Sequence, residues 1–62
     1  MNLVARLKLD GSVRMSQLFL NIEDKTLKTA QMVEDMKGIG FAETEFEIVE
    51  MTDEELKTAM SQ

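Results

Sequence analysis

Two sets of side chains in this 62-residue sequence have types and spacings that could do chemistry: the acidic row Glu43, Glu45 and Glu47, and the basic set Arg6, Lys8 and Arg14. Carboxylates at alternate positions leave one face of an extended strand, where they could hold a hard cation or mimic phosphate. Hard-cation sites, however, draw oxygens that converge from a tight loop, and a straight row does not supply that. The preferred reading is a solvated strand face neutralised by Arg6 and Lys8. The basic set could bind nucleic-acid phosphates, but sheets that hold single strands add exposed aromatics for stacking. The only aromatics are three phenylalanines, and Phe19 and Phe46 fall at core positions, leaving Phe41. Ion pairing within the sheet is expected instead.

Other chemistry lacks parts. Gly38-Ile39-Gly40 resembles a piece of a phosphate-binding loop, yet it follows a predicted helix instead of opening one, so helix termination explains it. Histidine, cysteine and tyrosine are absent, which leaves Ser12, Ser16 and Ser61 without an activating base. It also rules out a zinc site with nitrogen and sulfur ligands. No enzyme, metal or cofactor is expected.

The charge balance points the same way. Twelve acidic and seven basic residues give a net charge of −5, and both nucleic acid and anionic membranes call for a positive surface. At 44% apolar and 31% charged the composition is globular. No apolar run approaches the ~20 residues of a membrane span, and the start of the sequence lacks the pattern of a secretory signal. A soluble cytoplasmic protein with no membrane partner is expected. A single domain of this length buries only about 60% of its unfolded surface, and without disulfides or metals it gains most by associating with itself or a partner.

The elements that would position these residues read as ββαβα, an α+β fold. Residues 2–20 alternate apolar and polar around Asp10-Gly11-Ser12, which predicts a hairpin. A three-residue loop sets Leu9 opposite Val13, Leu7 opposite Met15, Ala5 opposite Gln17 and Leu3 opposite Phe19. The second face then pairs Lys8 with Arg14, Arg6 with Ser16, Val4 with Leu18 and Asn2 with Leu20. The second strand ends near Ile22. A helix follows to about Lys37, capped by Asp24 or, in competition, Thr26. Ala30, Met32, Val33 and Met36 form its apolar face with Leu27 at the margin, and Gly38 is its left-handed terminator.

Alternation returns from residue 41 or 42 to Val49, with Thr44, Phe46 and Ile48 on the core face. A right-handed crossover lays this strand beside the first in the order 2-1-3. Glu43 then meets Lys8, Glu45 meets Arg6 and Glu47 meets Val4. Met51-Thr52-Asp53-Glu54-Glu55-Leu56 carries a capping box and a hydrophobic staple, followed by a helix of about eight residues that must dock in the chain or on a partner.

Val4, Leu18, Leu20, Ile22 and Val49 are left on or beside the outer sheet face, with Leu56 and Met60 on the short helix. Patches of this kind mark interaction sites. The expected function is therefore a non-catalytic protein-interaction, accessory or inhibitor module of a bacterial or phage system, homodimeric or bound to a protein partner. The alternative is a nucleic-acid-binding regulator using Arg6, Lys8 and Arg14. Size and charge alone suggest the bacterial or phage setting.

Overall fold

In the computed structural model, which describes residues 1–61, strands β1 (Asn2–Leu7), β2 (Val13–Leu18) and β3 (Phe46–Met51) form one antiparallel sheet in the order β2-β1-β3. Helix α1 (Ile22–Gly38) spans the crossover from β2 to β3, and a short helix α2 (Asp53–Met60) ends the fold. This is the α+β architecture and strand order that the apolar pattern predicts. Among the described residues no helix is long and apolar enough to cross a membrane.

Alternation assigns the two sheet faces. Leu3, Ala5 and Phe46 point to one side and close on Met32 and Met36 of α1, all buried. Leu7, Met15, Phe19, Val33, Phe41 and Ile48 fill the margin of this core. The helix face differs from the predicted one at its edge: Ala30 is exposed and Lys25 and Thr29 are half-buried. Leu27 lies on the solvent side, 58% exposed.

The hairpin register differs by two residues from the expected one. Leu3 pairs with Gln17, Val4 with Ser16 and Ala5 with Met15. The cause is a longer connection. Leu7 donates its N–H to the Ser12 carbonyl at 3.0 Å and accepts from Gly11 N–H at 2.8 Å, which ends the strand at Leu7. Gly11 takes φ 72°, which a side chain would resist, and the Asp10 carboxylate accepts the Ser12 N–H at 2.9 Å. A bulge then sets Arg6 opposite Val13 and leaves Arg14 outside the ladder. A shift of two preserves the faces, so the core survives the wrong register apart from Leu9, which leaves the strand for the loop and is exposed.

Two helix boundaries also move. Asn21, not Asp24 or Thr26, caps α1: its side-chain oxygen accepts the Asp24 N–H at 2.9 Å. Asp24 reaches back to accept the Leu20 N–H at 3.0 Å, while the Thr26 hydroxyl donates to the Ile22 carbonyl within the first turn. The strand before it therefore stops at Leu18, short of Ile22. At the other end Gly38 stays helical, and Gly40, at φ 111°, makes the left-handed turn.

The start of β3 is displaced in turn. Glu43–Glu45 form a 3₁₀ turn, because the Glu45 carboxylate accepts the Ala42 N–H at 2.8 Å and holds the chain back from extending. The expected matches of Glu43 with Lys8, Glu45 with Arg6 and Glu47 with Val4 are replaced by Arg6 opposite Glu47 and Val4 opposite Val49. Thr44 is exposed instead of core-facing. The capping box of α2 forms as predicted: Thr52 Oγ1 accepts the Glu55 N–H at 3.1 Å, and Glu55 Oε1 accepts the Thr52 N–H at 3.0 Å.

Candidate functional site

The second face of the sheet carries Asn2, Val4, Arg6, Ser16, Leu18, Glu47, Val49 and Met51. Helix α2 folds back over its β1 and β3 part. A side-chain bridge starts this docking: Asn2 Nδ2 donates to the Met51 carbonyl at 3.2 Å and to Asp53 Oδ1 at 2.7 Å, tying the first strand to the first residue of α2. Beneath the helix Val4 is fully buried and Met51 buried, with Val49, Leu56 and Ala59 half-buried. Of the interface residues predicted from sequence, Val4, Val49 and Leu56 are thus joined in a second, smaller core within the chain. Met60 points away and is 63% exposed.

Leu18, Leu20 and Ile22 remain outside. They run from the end of β2 to the first residue of α1 and are 55%, 82% and 79% exposed. Their backbone is nevertheless held. The Lys28 ammonium donates to the Leu18 carbonyl at 2.6 Å, and the Asp24 carboxylate accepts the Leu20 N–H. Lys28 and Asp24 also pair with each other at 3.1 Å. The Leu20 N–H, followed by Lys28, holds the Asp24 carboxyl below its usual range. The segment presents three large apolar side chains from an anchored main chain.

The charged residues do not assemble as one set. Arg6 Nε pairs with Glu47 at 2.7 Å on the outer face. Arg14, displaced by the bulge, sits 5.9 Å above the ring of Phe41, which packs against the α1 core. Lys8 is exposed beside the hairpin loop. In the acidic row, Glu43 pairs with Lys37 at 3.3 Å and Glu45 holds its own turn. Only Glu47 stands on the sheet. Among the described residues no three acidic side chains converge as a cation site would need.

An open groove of about 520 Å³ runs between α2 and the hairpin loop, lined by Arg6, Asp10, Glu54, Glu55, Thr58 and their neighbours. Two of its acids have structural work. The Ser12 N–H lowers the Asp10 pKa, and the Thr52 N–H lowers that of Glu55.

Sequence reasoning missed three residues here. Asn21 was findable, since asparagine ahead of an acidic first turn is a preferred cap. Asn2 and Lys28 act across 51 and 10 positions of sequence, and no local pattern announces them. No protein-family model matches this sequence, and no curated protein or solved structure matches it.

Proposed function

We propose that this protein is a non-catalytic interaction module, an accessory or inhibitor protein that masks or tethers a protein partner through Leu18, Leu20 and Ile22. The observation that carries the reading is the exposure of these three residues on an anchored main chain, while Val4 on the same sheet is buried on the side where α2 docks and Val49 is half-buried there. Apolar side chains that flex freely lose entropy on binding; a strip held by Lys28 and Asp24 loses less. Size and net charge favour a bacterial or phage setting.

A photo-crosslinking residue placed at Leu20 in cells tests it, with Glu34 on the exposed side of α1 as the control position. The reading expects one adduct of defined mass at position 20, none at 34, and loss of the adduct when Leu18→Glu is added. Equal labelling at both positions, or an adduct indifferent to Leu18→Glu, refutes it.

A further inference from the structure

The two outer edges of the sheet are finished differently. In an antiparallel ladder the N–H and C=O of one residue point to the same side, and successive residues alternate. Phe19 donates to Met1 and Lys8 to Glu45. With the pairings of the two ladders, these bonds turn the odd residues of β1 toward β2 and its even residues toward β3. The main-chain groups at Ser16 and Leu18 of β2, and at Phe46, Ile48 and Glu50 of β3, therefore face outward.

The β2 edge is obstructed at both ends, with only Ser16 between them. The Arg14 bulge distorts one end, and at the other Lys28 takes the Leu18 carbonyl while Asp24 takes the Leu20 N–H. Bulges and charged side chains are the usual means of keeping another strand away. The β3 edge has no bulge, and its two charged side chains, Glu47 and Glu50, are each drawn into an ion pair within the chain. Its six residues pair with β1 without interruption, and it contains no proline. Among the described residues the N–H and C=O of Ile48, the N–H of Glu50 and the C=O of Phe46 have no hydrogen-bond partner. Ile48 and Val49, on opposite faces of this edge, are only half-covered by the helices.

The geometry points to a second copy of this chain as the occupant: β3 pairs antiparallel with β3 of the copy about a two-fold axis at Ile48, making one six-stranded sheet. This rests on the reading of the protein as an interaction module and gives its self-association a separate surface. Ile48 meets its own copy, and Glu50 donates to the Phe46 carbonyl in both directions, so four main-chain hydrogen bonds form. The carboxylates fit. Glu47 is already paired with Arg6 at 2.7 Å and Glu50 with Lys25 at 2.8 Å, and across the axis Glu47 stands opposite Val49 and Glu50 opposite Phe46.

Neighbouring registers are worse. Moving the axis to Glu47 sets that carboxylate against its copy. Moving it to Val49 puts the Phe46 carbonyl opposite Thr52, whose N–H is held by Glu55. The strip at Leu18, Leu20 and Ile22 lies at the far edge of the sheet and stays free in the dimer.

Sedimentation equilibrium over a wide concentration range, with amide exchange on the same samples, tests the inference through a pair of variants. Val49→Lys and Val49→Glu each place one charge on the outer face of the monomer, and in the dimer the first sets an ammonium opposite Glu47 of the copy and the second a carboxylate. Two symmetry-related cross-strand pairs predict a dimer constant about twofold to thirtyfold tighter for Val49→Lys and weaker for Val49→Glu. Wild-type protein is expected at twice 7.1 kDa, with Ile48 and Glu50 amides gaining protection as concentration rises. A monomer at all concentrations overturns the inference, as does a shift of the same sign in both variants. Leu18→Glu with Leu20→Glu is expected to leave the dimer intact. If it abolishes dimerisation, the strip is the self-interface and the edge is not, while the interaction reading stands. Loss of only the crosslink at Leu20, with the dimer unchanged, leaves the edge pairing in place.

Discussion

Val4→Ala tests whether α2 is part of this fold. Val4 lies on the sheet face away from α1 and is completely buried, which requires a cover on that side, and α2 is the element that contacts β1 and β3 there. The substitution removes two methyl groups. At about 0.8 kcal/mol for each buried carbon, with a further contribution from the cavity under a helix that can only partly settle, the cost comes to about 2–3 kcal/mol. For a chain of 62 residues at roughly 0.05–0.15 kcal/mol per residue, that is a large share of total stability, and it lowers Tm by about 10–20 °C. The assay is urea and thermal unfolding followed by far-UV circular dichroism at several protein concentrations. Ser16→Ala, at the exposed position paired with Val4 on β2, is the control and is expected within about 0.5 kcal/mol of wild type. If Val4→Ala also falls within that range, Val4 is open to water and the docking of α2 is refuted.

Three further outcomes follow from the polar contacts. Thr52→Ala removes the cap that accepts the Glu55 N–H and is expected to cost about 1 kcal/mol, with the Glu55 carboxyl titrating closer to its ordinary value by NMR as the reciprocal bond loosens. Asn2→Ala strips the donor from the Met51 carbonyl and the Asp53 carboxylate. A loss of about 1–3 kcal/mol, with faster amide exchange in α2 than in α1, is the expected result. Asp10, Asp24 and Glu55 have pKa values lowered by backbone N–H donors. Their stabilisation is complete above the usual carboxylate range and is lost as pH falls through the lowered values, below about pH 4. Asp24→Asn is expected to flatten part of that acid loss in urea midpoints measured from pH 7 to pH 2, and an unchanged slope would contradict the role given to the Leu20 N–H.

The sequence by itself determined the sheet faces, the α1 core pair Met32 and Met36 and the α2 capping box, because alternation, helical spacing and capping are local relations that a linear reading contains, and the handedness of the crossover added the strand order. Tertiary structure decided the register of both ladders. Whether a hairpin has three or five loop residues depends on hydrogen bonds at Leu7, Gly11 and Ser12, and a two-residue shift leaves the residues that stay in the ladder on their predicted faces. The same holds for the acidic row: Glu43 and Glu45 alternate like strand residues, yet the bond from Ala42 to Glu45 turns them out of the sheet. The apolar outer face was legible as a set of residues but not as a surface. Its division into a covered part at Val4, a half-covered Val49 and an open strip at Leu18, Leu20 and Ile22 follows from where α2 docks, where Asn2 ties it to the sheet through Asp53, 51 positions away in sequence.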